Sequence, residues 1–437
     1  MSSGNSSREV FGSRIGFVLA AAGSAVGLGN MWRFPYQAAE GGGAAFVVLY
    51  ILMTFLIGVP IMTSEFIIGR STKRSPISAF RSIGGRLWVP VGYLVVFAPF
   101  LILVYFSVIS GWTLRYAIDA ITGFSLDPAA RFAEVSSGTP PIIYHLVLMA
   151  VTIKVVIRGV RAGIERAAMI LMPVLLVLII ALVGWAATLP GSGQGYEFYL
   201  SPSLGDLFDP TVIKQAAAQA FLSLSVGMGV MITYASYLDR GNDLTQEAIT
   251  ISMLDFFVAF LGGLIVFPVI FALGLSEQLG ESTIGALFIS IPAAFAEMGT
   301  VGQIVGLVFF STLLVAALTS SFSLLEVVVA SLMDETKLNR KRSALIAGTV
   351  AAVAGILPAS SQSALGVMDK LAGEVFVVAG ALGSVLLAGW VLKDPLRELV
   401  KGASGFFART APGLIFVIRY LVPAFVAIVL WSSVSGL

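Results

Sequence analysis

The residues able to do chemistry are few and stand in apolar surroundings. Two glycine clusters interrupt hydrophobic runs: Gly23, Gly27 and Gly29 within AGSAVGLGN, and Gly227 and Gly229 within SLSVGMG. Glycine weakens a helix by about 1 kcal/mol relative to alanine. Each cluster therefore marks either an unwinding that frees backbone carbonyls and amides, or a close helix contact through small residues. Asp255, inside LDFFVAF, is a carboxylate in a run where an unpaired charge is costly, so it needs a cation, a proton or a helix partner. Thr319 and Ser320 set two hydroxyls side by side; alone, such a pair bonds back to its own turn. Carbonyls freed by helix unwinding, with hydroxyl and amide side chains, are neutral hard oxygens of the kind that suits a sodium ion seeking about five or six ligands and little charge. Catalytic patterns are missing. The single histidine, His145, has no HExxH partner and is expected to be structural, and no GxSxG, SxxK or Walker motif occurs. There is no cysteine, which removes disulfides, thiolate metal sites and cysteine nucleophiles together. An enzyme is not expected.

The elements that must position these groups are membrane helices. Of 437 residues, 57% are hydrophobic and only 11% charged, and the mean hydropathy of +0.96 lies outside the range of soluble chains. Apolar stretches long enough to cross a hydrocarbon core of roughly 30 Å fall at 12–37, 41–70, 88–122, 141–158, 163–188, 212–240, 245–275, 302–333, 341–358, 363–392 and 412–435. The period-2 alternation of a membrane barrel is absent, so backbone polar groups must be satisfied within helices and the fold is all-α. Basic residues gather in alternate loops, such as Lys73, Arg74, Arg81 and Arg86, or Lys337, Arg340, Lys341 and Arg342, while the intervening loops are neutral or acidic. The positive-inside rule then puts the amino terminus and the basic loops in the cytoplasm, and an odd span count puts the carboxyl terminus outside. Met1 to Ser7 lacks a signal-peptide pattern, so the first apolar segment is expected to stay as a membrane helix. The segment 281–300, with Pro292 and Glu297, is expected to pack over the bundle as a hairpin or lid.

The glycine-interrupted first and sixth spans stand five spans apart. Matched broken helices at that interval predict a five-plus-five inverted repeat with a binding site at the midplane between the breaks. The chain then divides into repeats at 12–188 and 212–392 and an additional helix at 412–435, within one membrane domain covering 1–437.

The motifs add a family resemblance. GSAVGLGNMWRFP from Gly23 to Pro35, with Arg14 upstream and GGGAAF from Gly41 downstream, resembles the first-helix signature of the neurotransmitter:sodium symporter family. Gly111–Trp112, GIER from Gly163, ITYASY from Ile232, TSSFS from Thr319 and RYLVPAF from Arg419 follow in order, so the resemblance covers nearly the whole chain. Eleven spans resemble the shorter bacterial members. The resemblance implies a transport domain in the bacterial inner membrane that carries an amino acid inward with sodium, by alternating access.

It also implies roles for residues. Two sodium ions are expected: one on the Ala25 carbonyl, Asn30, Ser223 and Asp255, completed by the substrate carboxylate, the other on the carbonyls of Gly23, Val26 and Ala316 with the hydroxyls of Thr319 and Ser320. Amides around Leu28 and Gly29 would meet the carboxylate at a helix N-terminus. Ser24, Ile102, Phe106, Leu222, Ser225, Met228, Ser320 and Leu324 would set side-chain specificity; the set is mainly apolar and points to a neutral, hydrophobic amino acid. Arg33 with Asp369 resembles the outer gate, and Arg8 with Asp334, beside Tyr237 and Phe11, the cytoplasmic one. Two departures stand out. Phe106 occupies a position where the family usually offers a tyrosine hydroxyl to the substrate, with Tyr105 just before it. Asp255 stands where an amide is usual, and Ala259 lacks the oxygen other members place near Tyr50, Gln219 and Ser223, so Asp255 is expected to replace chloride with a fixed charge. The competing reading among carriers is a proton-coupled one of the same architecture; a channel fits discontinuous helices poorly. No nucleic-acid partner is expected.

Overall fold

The computed structural model describes residues 9–201, 205–272, 274 and 286–435. Every regular element among the described residues is a helix. Nine of these helices are long and apolar enough to cross a membrane: Ala44–Thr72, Arg86–Thr122, Pro140–Ile157, Val160–Ala187, Leu244–Ala272, Gly299–Glu335, Arg340–Ser360, Gln362–Val391 and Gly405–Ser435. A tenth crossing is a bent pair, Arg14–Ala25 and Gly29–Glu40, with 59° between its halves. The remaining expected span, 212–240, is also two pieces, Pro210–Ser223 and Val230–Ser236, each too short to cross alone.

Local chemistry explains the breaks. The first span starts where the Ser13 hydroxyl accepts the Gly16 N–H at 2.9 Å, an N-cap that satisfies one orphan donor. It stops at Val26, whose backbone is extended, and resumes at Gly29 with a wide turn. In the sixth span Ser225 (φ 51), Gly227 (φ 82) and Gly229 (φ 68) are all left-handed, which no helix accommodates. Gly227 is required twice over, since a Cβ there would also lie 2.1 Å from the Val377 carbonyl oxygen.

Most boundaries lie within three residues of expectation, and two of the differences have a local cause. The second span begins at Ala44 rather than 41 because Gly42 and Gly43 are left-handed. The last begins at Gly405 rather than 412, running through Pro412 instead of starting near it. Membrane helices tolerate an internal proline when neighbours re-satisfy the freed carbonyl.

Burial separates scaffold from rim. The most apolar stretch of Arg86–Thr122 is 72% buried, against 28% for those of Val160–Ala187 and Gly405–Ser435, so the third span is central and the fifth and last face lipid. The third span packs along the eighth, Gly299–Glu335, more extensively than any other helix pair described. The first span packs on the eighth and seventh, and Val230–Ser236 on the second. The described part of 281–300 is a turn, Ala286–Ser290, and a short helix, Ile291–Glu297. It covers the third span: Tyr116 donates to the Phe288 carbonyl at 2.7 Å, and Trp112 meets the Phe288 ring edge-on. Residues 281–285 of that segment lie outside the described residues.

Candidate functional site

The two breaks face each other across one cavity of about 360 Å³. The left-handed turn at Ser225 aims its hydroxyl at the Ser24 carbonyl, 2.8 Å away, joining the interrupted helices directly. All twelve residues singled out for the substrate line this cavity: Ser24, Ala25, Leu28, Gly29, Ile102, Phe106, Leu222, Ser223, Ser225, Met228, Ser320 and Leu324. Most of that wall is apolar, as a pocket for a hydrophobic side chain requires.

One polar cluster lies against the cavity. Asn30 Nδ2 donates to Asp255 Oδ1 at 2.7 Å and to the Asp255 carbonyl at 3.1 Å, while Ser223 and Tyr50 hydroxyls reach Oδ2 at 2.7 and 2.9 Å. Asn30 Oδ1 accepts the Gly27 N–H at 2.9 Å, pinning the side chain to the unwound turn. The Asp255 carboxylate is thus buried with three donors, a set able to keep a charge in apolar surroundings. Beside it Gln219 lines the cavity, buried, with neither amide atom partnered.

A second cluster joins the first and eighth spans. Ser320 Oγ lies 3.2 Å from the Ala316 carbonyl, 3.3 Å from that of Ser24 and 3.5 Å from that of Val26, and Thr319 Oγ1 lies 3.0 Å from the Ala316 carbonyl. A Cβ on Gly23 would sit 3.2 Å from that of Thr319, so glycine sets how closely the helices approach. Neutral oxygens from two helices therefore converge, a donor chemistry that fits sodium and would hold a transition metal poorly. Among the described residues no cluster of histidine and carboxylates suits a metal that wants nitrogen or several charges.

The cavity is closed at the end that carries the amino-terminal segment and the basic loops. Phe11 meets the rings of Phe17, Tyr234 and Tyr237 edge-on at 5.4, 5.6 and 6.2 Å. Tyr237 donates to Glu326 at 2.7 Å, and Arg340 grips the same carboxylate at 2.7 and 2.8 Å while reaching Glu9 at 2.6 Å. Gly12 N–H and Ser13 Oγ bond Glu165 at 2.7 and 3.0 Å, and Arg14 pairs with Glu247 at 2.6 Å. Asp334 accepts the Ser75 N–H at 2.6 Å; its expected partner Arg8 lies outside the described residues. At the opposite end Arg33 and Asp369 both line the cavity mouth, and no ion pair joins them among the described residues.

Sequence reasoning passes over two of the groups that tie the site together. Glu65, fully buried, accepts the Gly227 N–H at 2.7 Å and so fastens the second span to the sixth-span break, while its other oxygen has no partner. Glu326 is equally buried. Both carry the signal that marked Asp255, an acid inside an apolar run. His145 is buried as expected of a structural residue, with Nδ1 2.8 Å from Ser107 Oγ and Nε2 2.9 Å from the Ala352 carbonyl.

Comparison with known proteins adds three findings. Residues 8–127 and 136–436 match the model of the sodium:neurotransmitter symporter family. A sodium-dependent transporter of Bacillus subtilis, YhdH, is 35% identical over 97% of both chains, and the sodium-dependent nutrient amino acid transporter 1 of Drosophila erecta is 28% identical over 76% of this chain and 62% of its own. Among solved structures, MhsT in complex with L-phenylalanine superposes with a TM-score of 0.87 at 38% identity, covering 98% of this chain and all of its own.

Proposed function

The chain belongs to the sodium:neurotransmitter symporter family, and from that premise we propose that it imports a neutral, hydrophobic amino acid together with two sodium ions, without chloride. It is a multi-pass membrane protein for sodium-coupled amino-acid transport and not an enzyme. The observation that carries the finer reading is the pair of helix breaks facing one largely apolar cavity, each flanked by a cluster of hard oxygens. The cluster around Asp255 takes one ion and the substrate carboxylate, with amides near Leu28 and Gly29 completing the cradle; the cluster around Thr319 and Ser320 takes the other. The bound phenylalanine of MhsT is consistent with a hydrophobic guest.

In this reading the spans form two inverted five-helix repeats, 12–188 and 212–392, with 412–435 appended. The basic end is cytoplasmic, the carboxyl terminus is outside, and the membrane is a bacterial inner membrane. Arg33 with Asp369 is the outer gate; Asp334 and Tyr237, with Arg8, belong to the inner one. Asp255 supplies the fixed negative charge that makes chloride dispensable.

Thermal-shift screening against the common amino acids, with and without sodium, identifies the substrate. Uptake into proteoliposomes then tests the coupling. We expect a sodium gradient to drive accumulation, unchanged when gluconate replaces chloride. Uptake that follows a proton gradient in sodium-free buffer would favour the proton-coupled carrier instead, and collapse in gluconate would remove the role given to Asp255.

A further inference from the structure

Arg419 opens the RYLVPAF motif of the last span, a helix that faces lipid, and it takes no part in the cavity. Its place is set from two sides. Pro423, four residues on, has no N–H to give the Arg419 carbonyl, and the Trp390 indole of the tenth span donates to that carbonyl at 2.9 Å instead. In return Arg419 Nε donates to the Gly389 carbonyl at 2.7 Å, in the last turn of the tenth span, where carbonyls lack helical partners. Glycine makes room for this, since a Cβ at Gly389 would lie 3.2 Å from Arg419 Cγ. The guanidinium is thus fixed by one nitrogen and has two to spare. Neither Nη has a partner among the described residues, and Arg419 forms no ion pair among them. Beside it Tyr420 is half exposed, its hydroxyl equally unpartnered among the described residues.

Three donors are therefore left over at one corner of a lipid-facing surface. Leu387 and Ala388, just before Gly389, share a hydrophobic cluster with Trp88 at the start of the third span, so the corner lies at the basic end, close to the edge of the apolar core. Hydrocarbon cannot satisfy these donors. A phosphate can, because the guanidinium fork matches two of its oxygens. The Trp390 and Tyr420 rings meet edge-on at 5.3 Å and both are exposed, as aromatic residues at headgroup level are. The stretch 393–409 carries four basic residues and two acids, a balance that favours a headgroup of net negative charge over a zwitterion. We propose that Arg419, flanked by Tyr420 and Trp390, binds the phosphate of one anionic phospholipid, whose acyl chain lies against Leu421 and Ile428, exposed further along the span. The site requires only that the chain be embedded in a bilayer and is independent of the substrate.

Native mass spectrometry of the full-length protein, released from micelles holding equal amounts of phosphatidylglycerol and phosphatidylcholine, counts what stays bound. The parent should retain one phosphatidylglycerol about fivefold more often than phosphatidylcholine. Arg419→Gln should bring that ratio to about one, and Arg419→Lys, which keeps the charge but loses the fork, should fall between. Tyr420→Phe should lower the ratio about twofold while leaving the bond from Arg419 Nε to Gly389 alone, which keeps the site testable if the arginine variants fail to fold. Excess inorganic phosphate should not displace the lipid. Equal retention of the two lipids by the parent, a preference that survives Arg419→Gln or Tyr420→Phe undiminished, or displacement by inorganic phosphate would each overturn the proposal. A doubled protein mass with the lipid lost would overturn it too, by making a second copy of the chain the occupant.

Discussion

The two ends of the cavity are built from the same kinds of residue and are in opposite conditions. At the basic end Glu326 is buried and held by Tyr237 and both arms of Arg340, and Glu165 and Glu247 tie down the segment around Gly12 and Arg14. At the other end Arg33 and Asp369 line the cavity mouth, with no ion pair between them among the described residues. A closed end is thus a network of charges that satisfy one another out of water, and an open end is the same chemistry left hydrated. Since desolvation and attraction nearly cancel in such networks, neither end is locked by its own contacts. Binding at the breaks, midway between them, can decide which end is closed.

If that is right, damage at the middle should have the largest effects. Asp255→Asn removes a charge that, at about 4 Å and an effective dielectric of about 20, is worth roughly 4 kcal/mol to a neighbouring cation. Sodium titration of substrate binding should then shift by up to about 1,000-fold, and normal affinity would move the carboxylate out of the ion site. Next in size, Thr319→Ala with Ser320→Ala should uncouple one ion. A tenfold gradient with roughly 100 mV contributes about 3.7 kcal/mol per sodium, so the limiting accumulation ratio should fall at least about 500-fold. Retained accumulation would leave only the bond of these hydroxyls to their own helix.

Damage at one end should be smaller and directional. Glu326→Ala leaves Arg340 with less compensation in a buried place and should shift the balance toward opening that end by roughly 3 kcal/mol, about 100-fold in population. A Ser323→Cys probe, beside Tyr234 beneath the closed end, should become reactive to a thiol reagent; continued protection would mean that aromatic packing around Phe11 closes this end by itself. The smallest effect belongs to Arg81, which pairs with Glu335 at 2.6 Å at the same end but on the surface, with the arginine side chain 44% exposed. Arg81→Ala should leave uptake within about twofold of wild type. A larger loss would show that burial is not what separates working pairs from incidental ones.

Much of the middle was legible in the sequence because its signals are local. Glycines crowded at Gly23 to Gly29 and Gly227 to Gly229 can be read from helix propensity, and Asp255 from the cost of charge among phenylalanines. The ends were harder, because a charge near a span boundary has two meanings that look identical in one dimension. Arg340 reads as a topology residue in a basic loop, yet its guanidinium reaches back to Glu326 and across to Glu9. Glu165 and Glu247 become anchors only once tertiary packing brings them to the amino-terminal segment, more than 150 residues away in the case of Glu165. The Tyr105 and Phe106 exchange was visible as a departure from a pattern.

The broken sixth span also bears on how the protein is made. Pro210–Ser223 and Val230–Ser236 carry Gln215, Gln219, Ser223 and Thr233, and between them Ser225 to Met228 make no backbone hydrogen bond to either piece. Lipid offers such backbone no partner, and each exposed group there costs several kcal/mol. Partners come from elsewhere: Glu65 takes the Gly227 N–H, Ser24 takes the Ser225 hydroxyl, and the tenth span closes over Gly227, where a Cβ on Gly380 would lie 2.0 Å from the Gly227 carbonyl oxygen. The first two are synthesised about 160 and 200 residues earlier, but the tenth span leaves the ribosome some 150 residues later. During biosynthesis this segment has to lean on the helices already inserted, its far side uncovered, until the tenth arrives. Nascent chains cut before residue 377 should therefore hold their sixth span less firmly in the bilayer than the finished protein does.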